Sequence, residues 1–171
     1  MAELEIVTKP KLTPEEKTSL FGWGDDLWAN DKYGLTWVGT DIHVVGSVGG
    51  TAVTQAGAYL HTVTHNGSEL RLGGLNGVIT IPEARGKGYG NRVVSGAEQH
   101  IRVEMDADFG MLFCHPELVP FYEPRGWEII DGPVTIDQPD GPRLTPHIVM
   151  VLPFKDATWS DGPFNLSSYP W

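Results

Sequence analysis

The stretch Arg85-Gly86-Lys87-Gly88-Tyr89-Gly90 constrains this chain more than any other. Before it, residues 75–82 (Leu-Asn-Gly-Val-Ile-Thr-Ile-Pro) read as a strand. After it, from 91 to 106, the pattern turns helical, with Val94, Ala97, Ile101 and Met105 on one stripe. Glycine lets a backbone turn tightly and leaves its N–H groups uncovered, and the helix behind adds unpaired N–H groups and the positive end of its dipole. Strand, glycine turn and helix in that order make an anion site, and phosphate is its natural guest. The nucleoside triphosphate loop does not fit, because Gly88 follows Lys87 where Ser or Thr is required. Nor does the dinucleotide fingerprint, because the third glycine comes one residue early. Arg-x-x-Gly-x-Gly does fit, through Arg85, Gly88 and Gly90.

The remaining pattern fills in an α/β chain. Leu4-Glu5-Ile6-Val7 reads as a short first strand, and Thr13-Pro14-Glu15-Glu16 is a capping box that starts a helix at 14. Gly22 and Gly24 weaken that helix before Asp25, Asp26 and Asp31, which are candidates to meet a cationic acceptor. Three antiparallel strands are predicted at about 36 to 47, 51 to 65 and 69 to 81, the last two joined by a hairpin turn at Asn66-Gly67. Gly73, Gly74 and Gly77 point to a bulge or a closely approaching ligand. Residues 109–114 form a buried parallel strand after the crossover helix, and Pro120 and Pro124 restrict the next segment to about one helical turn. Strands at 134–137 and 146–154 precede an aromatic tail, 155–171, too apolar to hang free.

At 171 residues a single domain is the expectation, 1–171, with the tail docked on the body. Cys114 is the sole cysteine, which excludes an internal disulfide framework, and the first residues form neither a signal peptide nor a membrane span. A cytoplasmic protein is expected. The net charge of −10 argues against nucleic acid and anionic lipid as partners and would draw a cationic ligand. A homodimer is compatible with the sequence. His61 and His65 share a strand face, but no third ligand accompanies them at a plausible spacing, so no metal is expected. Cys114 reads as a small buried hydrophobe rather than a nucleophile.

A second motif decides the reading of the first. Tyr122 and Gly126-Trp127 form Tyr-x-x-x-Gly-aromatic at a fitting distance after Arg85. Together the two motifs resemble the GNAT superfamily of N-acetyltransferases, and the order of elements resembles its fold over nearly the whole chain. That likeness implies a mixed sheet of six to seven strands flanked by about four helices, and acetyl-CoA as cosubstrate. Gly86, Lys87, Gly88, Tyr89 and Gly90 with Arg85 would hold the pyrophosphate, and Val78, Ile79 and Thr80 would run beside the pantetheine arm. Tyr122 would give its proton to the leaving sulfur.

The C-terminal third is similar to the aminoglycoside 2'-N-acetyltransferases in Gly132-Pro133, Gly141-Pro142-Arg143-Leu144-Thr145-Pro146, Val151-Leu152-Pro153 and the final Trp171. The resemblance implies that the Trp171 carboxylate lies beside an aminoglycoside and that the acceptor is its 2'-amine. A polyamine, an amino-sugar, or non-catalytic binding of an acyl-CoA or drug are the alternatives. Where that family carries a basic glutamate this chain has Asn76, which can hold a water or polarise a carbonyl but cannot take a proton. Proton removal would then fall to His43, His61, His147 or the Trp171 carboxylate, or an amine of low pKa would need none.

Overall fold

The computed structural model describes residues 2–24, 27 and 31–171. In chain order the elements are β1 (Leu4–Lys9), α1 (Pro14–Phe21), β2 (Ile42–Val48), β3 (Thr51–His65), β4 (Ser68–Thr80), α2 (Tyr89–Val103), β5 (Phe109–Cys114) and α3 (Val119–Tyr122). There follow β6 (Glu128–Ile129), β7 (Val134–Ile136), β8 (Arg143–Leu144), β9 (Ile148–Pro153) and β10 (Phe164–Asn165). Single 3-10 turns occupy Asp31–Tyr33, Pro82–Ala84, Pro116–Leu118 and Glu123–Arg125.

Seven strands make one mixed sheet in the order β1-β2-β3-β4-β5-β9-β6, and β10-β7-β8 form a small second sheet. The first four strands are antiparallel, and β4 and β5 run parallel, joined by α2. That parallel contact is short: Leu72, Gly73 and Gly74 face Phe109, Gly110 and Met111, after which the two strands part. β4 also carries a bulge. Gln55 lies opposite Ile79 and Gly57 opposite Asn76, so three steps along β4 match two along β3, and Gly77 takes the left-handed φ of +56° that the extra residue needs.

α2 buries Val93, Val94, Ala97 and Ile101 against Val44, Ala56, Ala58 and Leu75 of the sheet. Ile101 sits where Gly73 has no side chain: a Cβ there would lie 2.0 Å from its Cγ2. α1 starts as its capping box dictates, with Thr13 Oγ1 accepting from Glu16 N–H at 3.1 Å and Glu16 Oε2 accepting from Thr13 N–H at 2.8 Å. It ends at Gly22, after burying Leu20 with Val45, Ala52 and Ile79.

Three expectations need correction. The chain from 36 to 41 is extended but joins no strand ladder. Its backbone groups pair instead with the Gln138 side chain at Thr36, with Pro170 O at Val38 and with Ala58 O at Asp41. The crossover helix begins at Tyr89 rather than 91, because Gly88, at φ +75°, is its N-cap. Among the described residues there are three α-helices rather than about four, the prolines after β5 leaving α3 a single turn between two 3-10 turns.

Candidate functional site

Where β4 and β5 part, a cavity of about 480 Å³ opens. Leu75, Asn76, Gly77 and Val78 of β4 form one wall, and Leu112 to His115, Leu118 and Tyr122 form the other. Trp37, Val38 and Thr40 from the extended segment, His43 and Gln55 from the neighbouring strands, Phe21 and Trp171 complete it. Gln55 is buried, and so is Tyr122.

Thr80 ends β4 and leads through one 3-10 turn into the glycine turn. Gly86 and Gly88 both have φ of +75°, and a Cβ on either would meet open space. Glycine is therefore needed there for conformation, not for room. Gly90 is different: its Cβ would lie 3.3 Å from Thr80 Oγ1, so the first turn of α2 passes close to the end of β4. No side chain caps α2, and no acidic residue stands in its first turn, so the N–H groups there face no built-in anion. Arg85 is partly committed already. Its Nε donates to Thr80 O at 3.0 Å and its guanidinium lies over the Trp23 ring, 5.3 Å from the centroid. Lys87 lies 6.0 Å from the Tyr89 ring centroid.

Ile81 N–H donates to Val53 O at 3.0 Å, and backbone direction alternates along a strand. The N–H groups of Val78 and Thr80 consequently face away from β3, toward the gap left by β5. Ile79 turns its side chain into the core with Leu20 and its backbone toward β3. Of the residues assigned to the coenzyme, 78 and 80 thus offer hydrogen bonds to the gap and 79 does not.

Tyr122 is held by a fixture that spans two elements. Its ring meets Phe121 and Trp127 edge to face, at 4.9 and 6.1 Å between centroids. Gly126, at φ +98°, reverses the chain, and Trp127 Nε1 then donates to Glu98 Oε1 of α2 at 2.9 Å. Arg125 grips the same carboxylate with two bonds, 2.8 and 2.9 Å, and also reaches Asn91 and Ser95. Glycine and tryptophan of the motif thereby fasten α3 to α2 and aim Tyr122 at the cavity. Glu98 and Arg125 are invisible to motif reading because they carry no motif and meet across 27 residues; the Arg-Gly-Trp run is the available hint. Burial is the main force on the Tyr122 phenol, with Cys114 a lesser one, and it pushes the pKa well above the ordinary value. Cys114, on the same wall, is pushed up to about 11, again by burial first and then by Glu117.

Asn76 lines the cavity, but both ends of its amide are engaged: Oδ1 accepts from Thr40 Oγ1 at 3.1 Å and Nδ2 donates to Gly39 O at 3.3 Å. It tethers the extended segment to β4. Trp171 is buried in the parting of β4 and β5, stacked so closely on Gly74 that a Cβ there would meet its indole at 2.4 Å, and its Nε1 donates to Met111 O at 2.8 Å. Trp171 is thereby fixed among the residues that line the cavity. Asp25 and Asp26 lie outside the described residues, and Asp31 begins the 3-10 turn Asp31–Tyr33. His61 Nε2 pairs with Leu166 O at 2.7 Å and His65 stacks on Trp159, so both are occupied by the tail. His147 is buried among Tyr33, Trp37 and His115 and its pKa falls to about 4, mainly through burial and then through His115 and Lys32.

A glycine turn at an uncapped helix start, an open strand edge leading from it, and a buried tyrosine across the cavity from that edge thus stand together where β4 and β5 part. A family model, the acetyltransferase (GNAT) domain, matches residues 22–130. The chain belongs to this family of acetyl-CoA-dependent N-acetyltransferases. Among solved structures it is similar to an acyl-CoA N-acyltransferase from Pseudomonas aeruginosa, at 22% identity and TM-score 0.58 over 88% of this chain and 99% of that one. Escherichia coli ElaA is similar at 19% identity and TM-score 0.54, over 89% and 99%. N-acetylglutamate synthase from Neisseria gonorrhoeae, solved with coenzyme A and N-acetyl-glutamate, shares 9% identity at TM-score 0.56 over 87% of this chain and 35% of that one. At such identities the likeness is one of fold. No curated protein matches the sequence. Among the described residues no helix is long and apolar enough to cross a membrane.

Proposed function

We propose that this chain, acting as one domain, transfers the acetyl group of acetyl-CoA to the primary amine of a small acceptor held in the cavity beneath Trp37 and Trp171. The observation that carries this is the parting of β4 and β5, which sets the open backbone edge of Val78 and Thr80 opposite Tyr122. In this reading the N–H groups of Arg85 to Gly90 take the pyrophosphate and the pantetheine pairs along Val78 and Thr80 as a further strand. The amine nitrogen attacks the thioester carbon, the C–S bond breaks, and Tyr122 gives its proton to the departing sulfur.

The cavity's chemistry favours an acceptor with one amine on an apolar or aromatic body. Phe21, Trp37, Phe113 and Trp171 line it, and among the described residues its lining includes no carboxylate. The second reading, the 2'-amine of an aminoglycoside, draws on the C-terminal motifs and on Trp171 lying at the cavity; Asp25, Asp26 and Asp31 would then supply the negative charge that a polycation requires. Asn76 would serve either acceptor by holding the segment that carries Trp37 and Thr40.

The deciding assay is release of free thiol from acetyl-CoA with a panel of amines: aminoglycosides with and without a 2'-amine, spermidine, glucosamine and tryptamine. Turnover with tryptamine above the polycations is expected. Turnover confined to 2'-amino drugs would establish the second reading instead, and coenzyme binding without any turnover would leave a non-catalytic acyl-CoA-binding protein.

A further inference from the structure

The Asn76 amide cannot take a proton, and a side chain that can stands in the same cavity lining. His43, on β2, lines the cavity, and its Nδ1 lies 2.8 Å from Gln55 Oε1. Gln55 Nε2 donates in turn to the carbonyl of Gly77, the bulge residue of β4. This chain of contacts fixes a tautomer. A backbone carbonyl can only accept, so the NH2 group of Gln55 must face Gly77 and its oxygen must face the histidine. That oxygen can also only accept, so Nδ1 carries the proton. The neutral ring is left with its lone pair on Nε2. Gln55 is almost wholly buried, at 2% exposure, and cannot turn away to water. Gly77 is part of the fixture, because a Cβ there would come within 2.7 Å of Gln55 Nε2.

We propose that His43 Nε2 is the general base of the reaction, and that Gln55, anchored on the bulge carbonyl, is the positioning residue that keeps this nitrogen unprotonated. The assignment rests on the amine-acetyltransferase reading above. The proton lost by the attacking amine goes to Nε2, the thiolate takes the proton of Tyr122, and exchange with solvent then removes one proton from His43 and returns one to Tyr122. Of the other histidines named from the sequence as proton acceptors, His61 spends Nε2 on Leu166 O, and the His147 ring is packed against Trp37 and His115. The charged and titratable groups around His43 are Lys9, its partner in β1, and Glu16 of α1, which bind each other at 2.8 Å, with Cys114, His115 and Tyr122 on the cavity's other wall.

The test uses the full chain, acetyl-CoA and whichever amine of the panel turns over fastest. His43→Gln should lower kcat/KM for the amine by about 100-fold at pH 7 with acetyl-CoA affinity unchanged. Gln55→Glu puts a carboxylate on Nδ1–H, which favours the imidazolium, so the acidic limb of the pH profile should move up by about one unit. A residue that merely supported the fold would not move that limb. Independently of turnover, nitrogen-15 spectra of the His43 ring should show the proton on Nδ1 in the wild type and a mixture of tautomers in Gln55→Leu. Unchanged kcat/KM in His43→Gln at every pH, or a wild-type ring protonated on Nε2 alone, would overturn the assignment while leaving the acetyltransferase reading intact. Coenzyme binding with no turnover on any amine would overturn that reading and the base with it.

Discussion

Tyr122 and Cys114 face the same cavity, and burial acts on both in the same direction, disfavouring their anions. For a proton donor that is useful, because the phenol stays neutral throughout any working pH and produces no alkaline limb of its own. For a thiol it means inertness. Replacing Tyr122 with Phe should therefore lower kcat by roughly 10²-fold or more and leave the dissociation constant of acetyl-CoA nearly unchanged, as calorimetry would show. An equal loss in both would assign the ring to packing with Phe121 and Trp127. Cys114, with its pKa at about 11, should react with iodoacetamide at pH 8 far more slowly than a free thiol, and rapid alkylation would contradict its burial. Tyr122 was legible in the sequence because Gly126-Trp127 follows at fixed spacing. The commitment of Asn76 to Thr40 and Gly39 was not, since its partners lie 36 and 37 residues away on a segment with no motif.

Among the elements, β4 concentrates three glycines and gives each a different task. Gly73 admits Ile101, Gly74 admits the Trp171 indole, and Gly77 makes the bulge whose carbonyl holds Gln55. The cluster itself was readable as a bulge or a closely approaching ligand; the bulge falls at Gly77, whereas Gly73 and Gly74 make room for side chains of α2 and of the chain's last residue, which no local pattern announces. The segment from 36 to 41 shows the converse limit. Its β-branched and aromatic residues match a strand pattern, yet its neighbours are a glutamine side chain and the tail, and no propensity encodes that. The turn before α2 offers a sharper test of element-level reasoning. Gly88→Ala places a Cβ at φ +75°, costing about 1–2 kcal/mol in denaturant unfolding. Because open space surrounds that Cβ, the loss should come from backbone strain alone, and acetyl-CoA affinity should fall further as the turn's N–H groups shift. Gly74→Ala should be worse for stability and should disturb Trp171 fluorescence, whereas Gly88→Ala should leave that fluorescence unaltered.

At the scale of the whole molecule the cavity depends on three parts of the chain that are remote in sequence: the segment before β2, the parting of β4 and β5, and the region from β9 to Trp171. His147, just ahead of β9, packs against the first of these through Tyr33 and Trp37 and against the end of β5 through His115. Its folded pKa of about 4 lies below the ordinary value of 6.5, so between those two pH values the unfolded chain binds a proton that the folded chain refuses. Stability accordingly rises with pH through that window: the contribution is complete above about pH 6.5 and is lost progressively as pH falls toward 4. By the linkage relation the loss is on the order of 3 kcal/mol across the window. Denaturant midpoints measured from about pH 7.5 to about pH 4.5 should fall for the wild type and fall much less for His147→Phe, which keeps an aromatic ring and has no proton to refuse. If the two midpoints declined in parallel, the acid sensitivity would belong to the carboxylates instead, and His147 would hold the cavity's walls together through packing alone.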